Sequence, residues 1–399
     1  MQWREEYRNA LLRVLHIGSG NLYGGVETAL VALARFRNFC PAMAPHFAIC
    51  FEGRLSRELE EAGVAVHYLG EVRTRKPWTV WAGRRRLREL QDRQQFDVVI
   101  CHMAWPMTVF GRAVRLSRTP LIFWAHDAFE GSHWLERWAA RTIPDAVIAN
   151  SLYTQQTVRT VFPNAHSRVI YYPVMPAFAA DRASCRTSVR RELGISEDTV
   201  VIIQVSRMEA YKGHSLHLEG LARIQDNPHW ICLMVGGSQR AAEQAYMTSL
   251  ERRVAELGIS KRVRFLGQRS DVSNLLLAAD IFSQPNIGPE PFGIVFVEGL
   301  LANLPVVTTA IGGPMEIIDQ SCGLVVPPED PEQLGAALRC LIDSPERRNR
   351  LGQAGPERAR ALCDPARRIP DVHHLLRTLT KKSGRQPVVV GQDQLSTPA

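Results

Sequence analysis

Short apolar runs alternate along the chain with longer segments in which apolar residues recur every three or four positions. Such runs are typical of buried strands, and such segments are typical of helices that cover a sheet. In the first half of the chain the strand-like runs are LRVLHIG, HFAICF, VAVHYL, DVVICH, LIFWAH and DAVIAN. Helix-like segments such as SRELEEAG, RRRLRELQDR and FGRAVRL separate them. This alternation predicts the α/β class, with a parallel sheet that has helices on both faces.

A break in this pattern divides the chain in two. Pro173 and Pro176 precede a polar, alanine-rich stretch that is typical of a linker, and a new strand-like run, TVVIIQV, follows it. The length of 399 residues is enough for two domains. We predict one domain over residues 1–173, a second over 174–364, a C-terminal helix over 365–380 and a disordered tail over 381–399.

The stretch 288–317 carries the strongest indication of a binding site. A tight loop with Gly293 leads into an apolar helix predicted over residues 294–302, and Glu298 is the only charge on that helix. A buried carboxylate needs a partner. A second glycine pair, Gly312 and Gly313, opens another helix, and helix N-termini bind anions through unpaired N–H groups. The stretch therefore predicts a pocket for a sugar nucleotide.

Two cations follow the first strand of the second domain. Arg207 and Lys212 come five residues apart in SRMEAYKG, just after TVVIIQV. Arginine binds phosphate through two nitrogens and lysine acts as a point charge. Together they would offset the charge that grows on a departing diphosphate. The alternative is a pair of solvated surface charges.

These segments resemble a known family. EPFGIVFVE followed by LANLPVV and GG, with SRMEAYKG upstream, resembles the donor-site signature of the family 4 retaining glycosyltransferases, which have the GT-B fold. Pro291 and Asn303 stand where the family often has glycine, which affects only the local loop shape. The resemblance implies two Rossmann-like domains with parallel sheets facing each other across a cleft. The first would be the acceptor side, the second would bind the nucleotide sugar, and the C-terminal helix would return to the first.

The resemblance also implies roles for individual residues. Arg207 and Lys212 would stabilise the leaving diphosphate, Glu298 would hold the ribose hydroxyls, and Glu290 would contact the donor sugar. The residues assigned to catalysis are Glu290, His126, Arg207 and Lys212. The residues assigned to donor binding are Gly24, Gly25, Arg207, Lys212, Gly236, Leu266, Glu290, Phe292, Gly293, Ile294 and Glu298.

Two histidines fall at strand ends in the first domain, where ligands of parallel sheets bind. His102 ends VVICH, and His126 follows FWA. A structural role is open for both. The resemblance favours His126, because the family has a histidine here that reaches the donor sugar. Asp127 would either orient His126 or cap the following turn.

Glycine pairs mark two further turns. Gly24 and Gly25 precede the first helix and would lie beside the donor phosphates, or they form a plain strand-to-helix turn. Their spacing does not match the dinucleotide motif GxGxxG, so a nicotinamide site is disfavoured. Gly236 resembles a family turn near the nucleotide, and Leu266 lies in a segment that resembles the one beside the base.

Composition adds limits on the compartment and on cofactors. The eight cysteines show no CxxC spacing, which favours reduced thiols in a cytoplasmic protein over disulfides or zinc sites. The N-terminus lacks the apolar core of a signal peptide, and no apolar run is long enough to cross a bilayer. The chain has no Asp-x-Asp motif. We therefore expect no metal and no other cofactor.

Residues 73–88 combine seven basic residues with Trp78 and Trp81. Three interpretations stay open: a solvated helical face, peripheral contact with an anionic membrane on the inner side, and contact with nucleic acid. We expect no nucleic-acid partner. The net charge of +8 permits attraction to an acidic surface without naming one.

The sequence thus predicts a retaining, metal-independent glycosyltransferase. It would move a sugar from a nucleotide-sugar donor to the hydroxyl of an unknown acceptor, a glycan or a lipid-linked glycan, in the synthesis of bacterial surface polysaccharide or glycolipid. The alternatives are a nucleotide-sugar epimerase or hydrolase on the same fold, and a non-catalytic binding protein of the GT-B type.

Overall fold

A computed structural model describes residues 11–179 and 181–382. The chain divides into two compact units. Unit 1 contains the residues up to Pro173 together with those from Pro365 onward, and unit 2 runs from Val174 to Asp364. The predicted tail, apart from its first two residues, lies outside the described residues.

Each unit is built on one parallel sheet. The strands in chain order are β1 (Leu12–Ile17), β2 (Met43–Ile49), β3 (Ala65–Tyr68), β4 (Val98–His102), β5 (Leu121–Ala125), β6 (Ala146–Ala149), β7 (Ser167–Val169), β8 (Val200–Val205), β9 (Trp230–Val235), β10 (Val263–Gly267), β11 (Ile281–Gln284), β12 (Val306–Thr309) and β13 (Gly323–Val326). The seven strands of unit 1 are ordered β3-β2-β1-β4-β5-β6-β7. The six strands of unit 2 are ordered β10-β9-β8-β11-β12-β13.

Helices connect successive strands, as the alternating pattern predicts. In chain order they are α1 (Gly25–Arg35), α2 (Arg54–Glu61), α3 (Pro77–Gln94), α4 (Ala104–Leu116), α5 (Trp134–Ala139), α6 (Leu152–Val158), α7 (Arg182–Glu192), α8 (His214–Ala222), α9 (Ala241–Glu256), α10 (Val272–Ala278), α11 (Ile294–Leu301), α12 (Pro314–Ile317), α13 (Pro331–Asp343), α14 (Pro345–Cys363) and α15 (Pro365–Lys382). The α/β class is confirmed.

Helix starts follow local sequence rules. The Asp330 carboxylate accepts a 2.9 Å hydrogen bond from the Gln333 N–H at the start of α13, and Pro331 occupies the first helical position. The Ser151 hydroxyl caps α6 in the same way. These side chains satisfy N–H groups that a helix N-terminus leaves unpaired.

Unit 1 has an apolar core on each face of its sheet. On one face, residues such as Val99 and Phe123 pack with Leu87 of α3 and Phe110 of α4. On the other face the strands pack with α1, α2 and α15. The residues that α15 contributes to this second core are Ile369, Val372, Leu375 and Leu376. Unit 1 is therefore completed by the last described helix of the chain.

Both sheets reverse their strand order at one point. In unit 1 the reversal falls between β1 and β4, and in unit 2 it falls between β8 and β11. Loops leave in opposite directions at such a point and open a crevice beyond the carboxyl ends of the strands. Each unit thus provides one position where its fold favours a ligand.

Candidate active site

In unit 2 the reversal brings together two of the predicted site residues. Lys212 lies in a short helical turn, Ala210–Lys212, after β8, and Glu290 lies in the loop after β11. Their side chains form a mostly buried ion pair. The Lys212 ammonium also lies 4.7 Å from the centre of the Tyr211 ring. Burial alone would lower the pKa of Lys212, but the Glu290 carboxylate and Tyr211 outweigh it and raise that pKa. Lys212 is therefore a permanent cation.

Buried polar contacts hold the loop that carries Lys212. The amide nitrogen of Gln204, on β8, donates a 3.0 Å hydrogen bond to the Lys212 carbonyl. Its amide oxygen pairs with Nδ1 of His217 at 2.7 Å. On the other side, the Ile287 N–H donates a 2.9 Å hydrogen bond to the Tyr211 carbonyl, which ties the loops after β8 and β11 together. The position of the Lys212–Glu290 pair is thus fixed from both strands.

Arg207 lies between two carboxylates that the sequence analysis did not identify. Its guanidinium nitrogens lie 2.8 Å from Glu209 Oε1 and 3.3 Å from Glu243 Oε1. Glu243, on α9, is 5% exposed and also accepts a 2.5 Å hydrogen bond from the Gln239 N–H. Glu209 is only two residues from Arg207 and was visible in SRMEAYKG, whereas no local signal marks Glu243.

The predicted nucleotide-side turns pack next to this arginine. Gly236 has φ +150°, and a Cβ there would lie 1.8 Å from the Ser206 carbonyl oxygen, so a side chain is excluded. A Cβ at Gly237 would contact Gln268, which follows the half-buried Leu266 by two residues. The turn at Gly236 and the segment around Leu266 are therefore adjacent, and both adjoin the Arg207 loop.

The loop after β11 leads into α11 much as predicted. The helix runs over Ile294–Leu301, with Gly293 as its N-cap at φ +91° and Phe292 buried beside it. Gly312, at φ +73°, packs against this loop, and a Cβ there would lie 2.5 Å from the Glu290 carbonyl oxygen. The Gly313 N–H donates a 2.8 Å hydrogen bond to that same oxygen. The second glycine pair thus holds the Glu290 loop in place.

Glu298, on α11, is half-buried, and within residues 11–179 and 181–382 its carboxyl group has neither a hydrogen bond nor an ion pair. Burial raises its pKa to about 7. A carboxyl group in this condition is stabilised as an anion by any ligand that donates hydrogen bonds to it. Vicinal hydroxyls of a ribose are donors of this kind.

In unit 1 the same topological position holds a row of aromatic side chains. His16 Nδ1 lies 2.9 Å from His102 Nε2, and His102 Nδ1 lies 2.8 Å from His126 Nε2. His126 Nδ1 bonds to the Tyr172 hydroxyl, which accepts a 2.9 Å hydrogen bond from Asn150. We call these four rings the histidine row. Its parts come from β1, β4, the end of β5 and the segment after β7.

The histidine row is neutral. All three histidines are at most 6% exposed. Burial, with a smaller contribution from His46, lowers the pKa of His16 to about 3. Burial and His16 likewise lower the pKa of His126 to about 3, and burial lowers that of His102 well below its usual value. Each imidazole therefore carries one N–H, so the hydrogen bonds between the three histidines all point the same way.

Both ring nitrogens of His126 are thus occupied inside unit 1. A hydrogen bond from either nitrogen to a donor sugar would require giving up His102 or Tyr172. Asp127 is exposed and accepts a 2.9 Å hydrogen bond from the Ala128 N–H, which fits the turn-capping alternative. Sequence reasoning missed His16, Asn150 and Tyr172, because only the strand order brings them beside His126.

The two glycines at the start of α1 have different surroundings. The Gly24 N–H donates a 2.9 Å hydrogen bond to the Glu27 carboxylate, which closes the first turn of α1. Gly25 is exposed, and a Cβ there would meet no atom within 4 Å. A Cβ at Gly24 would make only an ordinary 3.8 Å contact with Glu27, so no packing in the protein requires glycine at either position.

The described part of the chain contains no cluster of three or more histidine, cysteine or acidic side chains arranged to hold a metal ion. No helix there combines the length and hydropathy needed to cross a bilayer.

Each unit matches the model of a protein family. Residues 186–358 match the model of the glycosyl transferases group 1, and residues 23–178 match that of Glycosyltransferase Family 4. Among solved structures, Anabaena HepE in complex with UDP and glucose has a TM-score of 0.79 at 22% identity, covering 92% of this chain and 100% of that one. Sucrose-phosphate synthase from Thermosynechococcus elongatus has a TM-score of 0.77 at 20% identity, covering 93% and 100%. These similarities confirm the GT-B fold.

Curated relatives match over part of their length. D-inositol 3-phosphate glycosyltransferase from Corynebacterium glutamicum is 34% identical over 188 residues, which are 45% of this chain and 43% of that protein. The GDP-mannose-dependent monoacylated alpha-(1-6)-phosphatidylinositol monomannoside mannosyltransferase of the same species is 29% identical over 222 residues, 53% and 56% of the two chains. The chain spans about half the length of these relatives. Both units therefore match models of glycosyltransferase families, Glycosyltransferase Family 4 in unit 1 and glycosyl transferases group 1 in unit 2, and the chain has the GT-B fold.

Proposed function

We propose that this protein transfers a glycosyl unit from a nucleotide-sugar donor to an acceptor hydroxyl, with retention of configuration and without a metal ion. The observation that carries the proposal is the arrangement in unit 2. Lys212, Arg207 and the carboxyl group of Glu298, which has no partner among the described residues, all lie on loops or helices at one sheet reversal. A diphosphate is bound by two such cations, and the hydroxyls of a ribose donate hydrogen bonds to such a carboxylate.

Donor binding is an exchange of partners. In this structure Lys212 pairs with Glu290, and Arg207 pairs with Glu209 and Glu243. The diphosphate takes the place of the carboxylates around the two cations. Glu290 is then released to accept hydrogen bonds from the hydroxyls of the donor sugar. Because the two cations are already held at this position, the reorganisation on donor binding is confined to the carboxylates that the diphosphate displaces.

The reaction then breaks the bond between the anomeric carbon and the diphosphate oxygen, and the electron pair leaves with the diphosphate. Lys212, Arg207 and the N-terminus of α11 stabilise that negative charge. The acceptor oxygen bonds to the anomeric carbon on the face that the diphosphate leaves and gives up its proton to the departing diphosphate oxygen. Glu290 stabilises positive charge on the sugar, and His126 serves as a positioning residue for it.

Metal independence follows from the same charges, because two cations and a helix N-terminus supply the positive potential that a metal ion would otherwise give. The measurement is turnover in excess chelator. We expect full activity there, and a loss that manganese restores would contradict this part of the proposal.

The names of similar proteins narrow the classes of donor and acceptor. HepE was solved with UDP and glucose, and one curated relative is named as GDP-mannose-dependent. The named acceptors are D-inositol 3-phosphate in one case and an acylated phosphatidylinositol mannoside in the other. These names support a nucleoside diphosphate sugar as donor. They leave a free polyol phosphate and a glycolipid as acceptor classes, and synthesis of surface polysaccharide or glycolipid as the setting.

The cell compartment is also a proposal. The structure describes all eight cysteines, and none is in a disulfide. This supports a reducing compartment, the cytoplasm, with residues 73–88 in contact with the inner face of a membrane.

The first experiment is a thermal-shift screen of UDP- and GDP-sugars on the purified protein, followed by assay of nucleotide release. We expect one donor to raise the melting temperature and release its nucleotide only when an acceptor is added. Release without acceptor would favour a hydrolase, conversion of the sugar would favour an epimerase, and binding without any turnover would favour a binding protein. A protein that no nucleotide sugar stabilises would contradict the proposal.

A further inference from the structure

Four of the seven tryptophans in the described residues are exposed. Trp78 and Trp81, on α3, are 67% and 66% exposed, and Trp134 and Trp138, on α5, are 45% and 53% exposed. Tryptophan is highly buried on average, so four exposed indoles on two helices of one unit need an explanation. Only the pair on α3 lies within residues 73–88.

The fold places these indoles along one edge of unit 1. In a parallel sheet each connecting helix begins at the edge where the preceding strand ends. Trp78 is the second residue of α3, and Trp134 is the first residue of α5. Between them lies α4, whose second residue is the half-buried Trp105. We call the N-terminal ends of α3, α4 and α5 the tryptophan edge.

Side-chain contacts fix the three helices as neighbours. Arg84 of α3 donates a 2.6 Å hydrogen bond to the Val109 carbonyl of α4, and the Thr108 hydroxyl of α4 donates a 3.0 Å hydrogen bond to the Leu135 carbonyl of α5. Packed helices lie about 8–10 Å apart, so the indoles span roughly 20 Å. The tryptophan edge is thus a broad surface rather than a pocket.

The charge next to these indoles is positive. Residues 73–88 contain seven basic residues and no acidic one. Among the described residues, the exposed side chains of Arg75, Lys76 and Arg88 have no hydrogen bond or ion pair. The Arg85 guanidinium lies 5.5 Å from the Trp81 ring centre. Around α5 the positive charge is weaker. Arg137 on the helix and Arg141 just after it are exposed, and the acids close in sequence are Asp127, Glu130 and Glu136.

We propose that the tryptophan edge docks on the surface of an anionic lipid bilayer. Indoles prefer the headgroup level, where the ring is desolvated and its N–H stays wet, and unpaired cations beside them attract anionic headgroups. A broad surface suits a bilayer better than a single ligand. The carboxyl ends of β1, β4 and β5, with Gly25 and His126, lie at the same edge of the sheet and so face the headgroups. The proposal rests on the proposed function in taking that edge as the acceptor side, and it extends the membrane contact of residues 73–88 to α4 and α5.

The test is co-sedimentation of the full chain with phosphatidylcholine vesicles that contain or lack phosphatidylglycerol. We expect binding to the anionic vesicles at low salt, weaker binding at high salt, and a blue shift of indole fluorescence on binding. W78S/W81S should reduce the partition coefficient by about tenfold. R75E/K76E/R88E should reduce it by about 100-fold or more, because three cations near the surface are reversed. W134S/W138S should reduce it as well, because the proposed surface includes α5.

Matched controls come from surfaces away from the tryptophan edge. Leu116, at the end of α4, is 68% exposed, and Ile143, before β6, is 66% exposed, so L116S/I143S removes equally exposed apolar groups from the opposite edge. R240E/R252E/K261E reverses three exposed charges in unit 2. Both controls should bind vesicles like the unmodified protein.

The proposal is overturned if the unmodified protein stays in the supernatant with anionic vesicles at low salt, or if the controls lose binding as much as the edge variants. Retention of single-stranded oligonucleotides without vesicle binding would reassign the surface to nucleic acid. If W134S/W138S alone behaves like the controls, the surface does not extend to α5 and the proposal fails as stated. The donor-induced thermal shift belongs to unit 2 and is measured separately, so its absence would contradict the proposed function and leave the vesicle result standing.

Discussion

The two units place polar side chains at the same topological position, beyond the reversal of strand order, but use opposite electrostatics. Unit 2 gathers fixed charges there: Lys212 with Glu290, and Arg207 with Glu209 and Glu243. Unit 1 places neutral imidazoles there and joins them by hydrogen bonds. One fold thus holds, at the same topological position, two cations in unit 2, where we propose that the leaving diphosphate binds, and a row of neutral rings in unit 1. The fold determines where a ligand binds, and the side chains determine what charge it can carry.

The strongest test of this contrast is Lys212→Ala. We expect kcat to fall by about 100- to 1000-fold, because one of the two cations that face the leaving diphosphate is lost. The substitution also leaves Glu290 as a buried carboxylate without its partner, so the melting temperature should fall too.

The double variant K212A/E290Q separates these two effects. It removes both charges and should recover the melting temperature without recovering activity. Lys261→Ala, at an exposed lysine of the same unit, is the control and should change neither quantity. Recovery of activity in the double variant would mean that Lys212 acts only through folding.

The pH dependence of donor binding tests the role proposed for Glu298. Burial raises its pKa from 4.5 to about 7, and ribose hydroxyls bind the ionised form. Donor affinity should therefore rise with pH up to about 7 and fall roughly tenfold per pH unit below it. Glu298→Gln should flatten the profile, and Glu251→Gln, at an exposed position, should leave it unchanged. A profile that stays steep in the Glu298→Gln variant would assign the titration to another group.

The raised pKa of Glu298 also makes the stability of the donor-free protein depend on pH. A carboxyl group whose pKa is raised on folding contributes its full stability below pH 4.5 and loses it as the pH rises through about 7. Donor binding should reduce this loss, because the ligand stabilises the ionised group.

Tyr172→Phe tests the neutral site. The His126 ring and the Asn150 amide would lose the Tyr172 hydroxyl as a buried partner, which should destabilise the protein by about 1–3 kcal/mol. Donor-induced stabilisation in unit 2 should be preserved. The measurements are urea unfolding and the nucleotide-sugar thermal shift on the same variant. Loss of the donor shift with unchanged stability would contradict this expectation and would give the histidine row a direct part in donor binding.

Gly25→Ala is expected to have the smallest effect and distinguishes a ligand site from a plain turn. A Cβ at Gly25 meets no protein atom within 4 Å, and alanine favours the helix over glycine by up to about 1 kcal/mol, so stability should rise slightly. If donor phosphates approach this backbone closely, the Michaelis constant for the donor should rise. Unchanged donor kinetics would leave Gly24 and Gly25 as a strand-to-helix turn.

The sequence predicts the parts of this molecule that depend on local chemistry. The α/β alternation, the start of α11 at Gly293, and the choice of Lys212 and Glu290 as candidate site residues all follow from short motifs, but the ion pair between these two residues does not. Contacts that depend on strand order were not predictable. The histidine row needs β1, β4 and β5 side by side, and Glu243 reaches Arg207 across 36 residues. The sequence also could not predict that both ring nitrogens of His126 are hydrogen-bonded, because the hydrophobic pattern places His126 at a strand end without showing its neighbours.

The position of α15 has a consequence for how the protein is made. One of the two cores of unit 1 includes Ile369, Val372 and Leu376, which the ribosome adds after the whole of unit 2. During synthesis, the part of the first sheet that α15 covers stays exposed until the intervening 191 residues, Val174–Asp364, have been made. A nascent chain halted before residue 365 should therefore bind a chaperone through that open side, and release should coincide with arrival of the last helix.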